Sequence, residues 1–238
     1  MKPAHIIIII IFVISGIFYY NLTGNMPTEK KEIFVVRVID GDTLESASGE
    51  KLRLLGVNTP EKGIFLHDEA ENFLRERVEN KTIEFESYGV DKYGRILAHI
   101  FLGEKHINEE ILKNGLGSLY YYEKDRYYKK LNQVEELART NKIGIWKDSS
   151  DKNCLFLVKL KYIEETKRCS NEEVIKIQNS CGKEISFVLK DDATHIYKEK
   201  IKPNSVFLKN FSCIWNDEGD SVFIWGDDGL ILFWRYNS

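Results

Sequence analysis

With 238 residues and 43% hydrophobic content, the chain can bury one good core and a second, smaller one, so two domains are the natural expectation. A formal net charge of −3 excludes a protein held to nucleic acid mainly by counterion release, which needs a strongly basic surface. Any phosphate ligand has to be gripped by a few local arginines and a cation.

The chain opens with an apolar run, Ile6 to Tyr20, preceded by Lys2 and His5 and followed by polar residues to Asn25. Residues 1–25 read as a signal peptide or an N-terminal membrane anchor. The run matches the upper end of a signal-peptide apolar region and falls short of the roughly 20 residues of a comfortable transmembrane helix. Either reading places the remainder outside the cytoplasm, secreted or tethered to the membrane through residues 6–20.

Ile33 to Ile39 has the β-branched content of a strand and runs into Asp40-Gly41-Asp42-Thr43, a tight turn carrying two carboxylates. Leu44 to Ala47 resumes the strand, and Ser48-Gly49-Glu50 makes a hairpin into Lys51 to Val57. This strand ends in Asn58-Thr59-Pro60-Glu61, where Pro60 restricts the chain just where polar oxygens are offered. Leu66, Ala70, Phe73, Leu74 and Val78 then follow helical spacing. Lys81 to Ser87 and Arg95 to Leu102 read as strands flanking a glycine-bounded loop with Lys92, Tyr93 and Arg95. Helical segments follow at about 107–114 and 127–141, and Ile143 to Trp146 closes the unit. Five strands with a helix after the third is the order of an oligonucleotide-binding (OB) barrel, here with two further helices.

These residues resemble the staphylococcal nuclease-like, or thermonuclease, family. The resemblance covers about Ile33 to Trp146 and rests on an ordered set of motifs. They are Val38-Ile39-Asp40-Gly41-Asp42-Thr43, Arg53-Leu54-Leu55-Gly56-Val57-Asn58-Thr59-Pro60-Glu61, Asp91-Lys92-Tyr93-Gly94-Arg95, Asn108 with Gly115-Leu116, and Ile145-Trp146. The resemblance implies an OB-fold barrel and a Ca2+-dependent phosphodiesterase acting on DNA and/or RNA and leaving 3′-phosphate ends. It implies Asp42, Asn58 and Thr59 as the metal group, and Arg53, Glu61 and Arg95 as catalytic residues. Lys92, Tyr93, Tyr121 and Tyr122 fall at substrate-contacting positions. The chemistry agrees, because in-line attack on a phosphodiester needs an aimed water and cationic groups on the phosphoryl oxygens.

Asn58 departs from the family pattern, standing where many members have aspartate, so weaker cation affinity is expected. The segment Lys62 to His67 is shorter and more apolar than the corresponding lysine-rich loop of the family. A noncatalytic OB-fold module that binds nucleic acid or protein is the alternative reading. In isolation Asp40 and Asp42 read as turn chemistry, Arg95 as a surface ion pair, Tyr121 and Tyr122 as core aromatics, and His67 and His99 as noncatalytic histidines.

The domain plan is therefore residues 26–147 as the nuclease-like unit, 148–153 as a polar linker, and 154–238 as a small all-β, sandwich-like domain. Strand-like runs are expected at 173–178, 184–189, 205–211, 221–225 and 230–236, with turn signals between them. The overall class is α+β. Cys154, Cys169, Cys181 and Cys213 all fall in this tail with no C-x-x-C spacing, which suggests two disulfides with three possible connectivities. No protein partner is implied, and the tail shows no recognisable chemistry of its own.

Overall fold

The computed structural model describes residues 29–121, 124–162, 173–193, 195–212, 214–215 and 219–236. The apolar run 6–20, Tyr122, Cys169 and Cys213 lie outside the described residues. Among the described residues no helix is long and apolar enough to cross a membrane.

The first half is a closed barrel. Strands β1 (Lys31–Asp40), β2 (Thr43–Ser46) and β3 (Lys51–Leu54) form the expected antiparallel meander. β5 (Thr82–Val90) continues the sheet on the other side of β1 and pairs with β6 (Ile96–Leu102), which β7 (Lys105–His106) extends. β6 then meets β3 in parallel, with Arg53 opposite Leu97, and this pairing removes the free edges of the sheet. The strand expected from Lys51 to Val57 is broken at Leu55, because Gly56 takes φ 77 and redirects the chain. The redirected piece, β4 (Gly56–Asn58), pairs with β8 (Ser118–Tyr120).

Three helices cover the barrel: α1 (His67–Val78), α2 (Ile107–Lys113) and α3 (Tyr128–Thr140). α1 buries Ala70, Leu74 and Val78 as its period predicts. These side chains join Val35, Leu44, Leu52, Ile83, Ile100, Ile111 and Leu131 in one core. Each fully buried aliphatic side chain contributes about 1.5–3 kcal/mol. Asn108, wholly buried, ties α2 to the barrel by donating to the carbonyls of Leu55 and Ala98 and accepting from Ile100 N.

The tail is an antiparallel sandwich. One sheet orders β13 (Val206–Phe211), β10 (Glu173–Asn179) and β9 (Leu155–Lys161). The other orders β12 (Ile196–Ile201), β11 (Ile185–Lys190), β14 (Asp220–Trp225) and β15 (Leu230–Tyr236). Ile175 and Ile177 of the first sheet pack with Ile185, Phe187, Leu189, Val222 and Ile224 of the second. β9 and β12 are additions to the five runs expected from sequence. A disulfide joins Cys154 to Cys181, pinning the start of β9 to the turn after β10.

The two halves share a third apolar cluster. Ile64, Ala138, Ile145 and Trp146 meet Phe223, Trp225 and Leu230, with Phe65, Leu66, Val188, Ile196 and Phe233 packed around them. Polar contacts reinforce the seam: Trp225 Nε1 donates to Ile145 O at 3.1 Å, and Arg235 forks onto both oxygens of Glu135 at 3.0 Å. The polar stretch expected as a linker is itself stitched to β15, with Ser149 N donating to Leu230 O and Leu230 N donating to Lys147 O.

Candidate active site

The turn between β1 and β2 places Asp42, and the reason Gly41 occupies its centre is contact. A Cβ there would lie 2.7 Å from Thr59 Oγ1 and 2.8 Å from Ala70 Cβ. That closeness lets the Asp42 carboxylate reach the end of β4. Asp42 Oδ2 accepts from Thr59 N at 2.9 Å and from Thr59 Oγ1 at 3.1 Å, while Oδ1 accepts from Thr43 Oγ1 at 3.1 Å.

Of the two sequence-predicted arginines, Arg53 pairs with this carboxylate and Arg95 faces its neighbour Thr43. Arg53 Nη2 lies 3.1 Å from Asp42 Oδ2, and its Nη1 donates to the carbonyls of Leu54 and Val57 at 2.8 and 2.6 Å. Arg95 reaches the same place through Thr43, its Nη1 standing 3.5 Å from Thr43 Oγ1. Asp91 orients Arg95 by accepting from its backbone N and its Nε. Partial burial raises the Asp91 carboxyl, but these hydrogen bonds from Arg95 outweigh that and hold it below the usual range. Burial and the adjacent Asp42 charge push Asp40 up to about 6. Two carboxylates so close together form a site that a cation would relieve.

Asn58 is turned by its neighbours. Its Oδ1 faces Arg53 Nη2 at 3.4 Å, and its Nδ2 donates to the backbone carbonyl of Asp192 at 2.6 Å. The reverse amide orientation would set donor against donor at Arg53 and acceptor against acceptor at Asp192, so the environment fixes the assignment. Asn58 Oδ1 and Asp42 Oδ2 thus converge on Arg53 Nη2, with one negative charge between them. Hard oxygens of this kind fit a flexible oxygen-seeking cation such as Ca2+ that keeps several waters. Among the described residues no three His, Cys, Asp or Glu side chains are grouped at metal-binding distance.

The remaining sequence-predicted residues divide. Glu61 lies three residues beyond the end of β4 and is partly exposed. Lys92 and Tyr93 are exposed on the loop leading to Arg95, with the ammonium over the Tyr93 ring at 5.1 Å. Tyr121 packs on the barrel core and over Gly56, and its hydroxyl donates to Asp125 Oδ1 at 3.1 Å. Burial and Asp125 push that phenol well above the usual tyrosine range. It is thus a packed core aromatic and not a free stacking platform. His67 is tied to Pro60 O, and His99 is buried between His106 and Asp125, so neither reaches the site.

Sequence reasoning assigned nothing from the tail to this place, yet the tail is here. The turn after β11 brings the Asp192 carbonyl to the Asn58 amide at 2.6 Å. The apolar segment after Glu61 was the one available signal. Ile64, Phe65 and Leu66 belong to the seam between the halves, which explains why a loop next to a charged site carries apolar residues.

Comparison with known proteins bears on the first half. The family model described as staphylococcal nuclease homologue matches residues 51–148. The thermonuclease of Staphylococcus intermedius is 31% identical over an alignment covering 59% of this chain and 95% of the relative. The thermonuclease of Staphylococcus hyicus is 29% identical over 53% of this chain and 82% of its own length. A protein of Haemophilus influenzae described as an uncharacterized endonuclease is 29% identical over 59% of this chain and 80% of its own length.

Proposed function

This chain belongs to the staphylococcal nuclease homologues, and on that premise we propose that it is a Ca2+-dependent hydrolase of phosphodiester bonds in DNA and/or RNA, leaving 3′-phosphate ends. The observation that carries this reading is the ion pair of Arg53 with Asp42, whose other oxygen accepts from the Thr43 hydroxyl that Arg95 faces at 3.5 Å. Two guanidiniums that stay protonated at any working pH suit a phosphoryl group whose charge grows during attack.

In this reading Asp42, the amide oxygen of Asn58 and the carbonyl of Thr59 hold the cation. When bound, it supplies positive charge against the phosphate and gathers water near it. Glu61 orients or deprotonates the attacking water. Arg53 and Arg95 bind the phosphoryl oxygens, which requires Arg53 to exchange its carbonyl partners for substrate. Lys92 and Tyr93 meet the nucleic acid from the exposed loop. The apolar run 6–20 exports or tethers the enzyme, placing its substrate outside the cytoplasm.

One observation favours a noncatalytic binding module: the Nη1 of Arg53 is already spent on Leu54 and Val57. Digestion of single-stranded DNA by the purified chain, with millimolar Ca2+ and then with chelator, separates the two. Cation-dependent cleavage abolished by Glu61→Gln supports the hydrolase. Oligonucleotide binding without cleavage establishes the module instead.

A further inference from the structure

The chain leaving β11 meets the barrel on both sides of Glu61. On one side the Asp192 carbonyl takes the Asn58 amide at 2.6 Å. On the other, Ile196 packs on the cluster that holds Ile64, and Lys198 Nζ stands 3.5 Å from where a Cβ on Gly63 would lie. These contacts set His195 over the stretch between Asn58 and Gly63, which carries Glu61.

Asp191 holds His195 at two atoms. Its Oδ1 accepts from His195 N at 3.1 Å, and its Oδ2 lies 2.5 Å from Nδ1. The Asp191 side chain is wholly buried, whereas that of His195 is 44% exposed. A carboxylate only accepts, so Nδ1 carries the proton of this bond and Nε2 is the ring atom left to meet a ligand. A ring oriented at one nitrogen by a buried carboxylate and open at the other is the arrangement that proton transfer requires. The barrel has no such ring among its described residues, because His67 is tied to Pro60 O while His99 and His106 are buried.

We propose that His195 is a catalytic acid contributed by the second domain, giving its Nε2 proton to the oxygen that leaves the phosphorus. This rests on the nuclease reading of the barrel. In that reaction a water oxygen bonds to phosphorus, one of its protons passes to Glu61, and the P–O5′ bond breaks. The electron pair of the broken bond goes to O5′, which leaves poorly as an alkoxide and readily as a hydroxyl once it takes the Nε2 proton. The proton on Glu61 returns through solvent to the ring. One water is consumed, and a 3′-phosphate and a 5′-hydroxyl result.

His195→Asn keeps an N–H for Asp191 and removes Nε2. Two substrates separate the roles: a single-stranded DNA oligonucleotide, and the same oligonucleotide with sulfur in place of the bridging O5′ at one linkage, where a thiolate leaves without a proton. At saturating Ca2+ the variant cleaves the oxygen linkage about 10²-fold more slowly than wild type and the sulfur linkage within about threefold of it. Imidazole added to the buffer restores part of the lost rate. Equal losses on both linkages, as from a merely structural histidine, or no loss on either overturn the proposal. His195→Gln repeats the comparison should the asparagine variant not fold. A wild-type chain that cleaves neither linkage defeats the nuclease reading itself, whereas cleavage of both with no split in the variants defeats only the role of His195.

Discussion

Arg235→Met is the most demanding test of the seam. Arg235 places Nη1 and Nη2 on the two oxygens of Glu135 at 3.0 Å, and Glu135 is 1% exposed while its Oε1 also accepts Leu119 N at 3.0 Å. Removing the guanidinium leaves a buried carboxylate with one backbone donor, the situation in which breaking a buried pair costs about 3–5 kcal/mol. For a chain of this size that corresponds to a fall in thermal midpoint of roughly 6–20 °C. Urea unfolding followed by tryptophan fluorescence measures it directly, because Trp146 and Trp225 both lie in the seam. The double variant Glu135→Gln/Arg235→Met regains most of the loss, since the glutamine oxygen can still accept from Leu119 N. A single-variant loss below about 1 kcal/mol, typical of exposed pairs, would refute the view that this pair clamps the halves together.

Glu61→Gln lowers cation-dependent cleavage by about 10²- to 10³-fold with an unchanged thermal midpoint, and equal activity in the two proteins would remove Glu61 from the chemistry. Gly41→Ala forces a Cβ to within 2.7 Å of Thr59 Oγ1, so stability drops by about 1–3 kcal/mol and cleavage falls further than the loss of fold explains. Replacing Cys154 and Cys181 with serine opens a loop of sequence separation 27 and costs about 3–4 kcal/mol by chain entropy, read as a lower midpoint that matches the effect of reductant. Burial, with His99 and Lys130 adding to it, lowers His106 to about 3. Unfolding lets it take up a proton below about 6.5, so its share of stability is complete above that pH and is lost as pH falls toward 3. His106→Gln flattens the decline between pH 6.5 and 4.5 by up to about 1.4 kcal/mol per pH unit, and an unchanged slope counts against the buried neutral imidazole.

Much of the barrel was legible because its information is local. The Asp40-Gly41-Asp42 turn, the polar strand end at Asn58 to Glu61 and the period of α1 each announce themselves within a few residues. The break at Leu55 was not, because only the distant β8 gives Gly56 to Asn58 a reason to turn. β9 keeps Phe156 and Val158 on an exposed face and β12 is rich in lysine and glutamate, so neither shows the alternation of a half-buried strand. Glu135 is a charged residue on the buried face of α3, beside Leu131 and Ala138, and only Arg235, a hundred residues later, accounts for it. The contribution of the tail to the site was invisible for the same reason: the partner of Asn58 is a backbone carbonyl, which any residue type provides.

The seam also has a consequence for how the protein is made. Asp192, Trp225, Leu230 and Arg235 emerge from synthesis long after the barrel strands, so a growing chain carries Ile64 and Trp146 uncovered, Glu135 unpaired and Asn58 without its carbonyl. The barrel is complete in sequence well before its site is. A chain assembled in this order completes the surroundings of Asn58 only when the last strands have docked, an order written into the direction of translation.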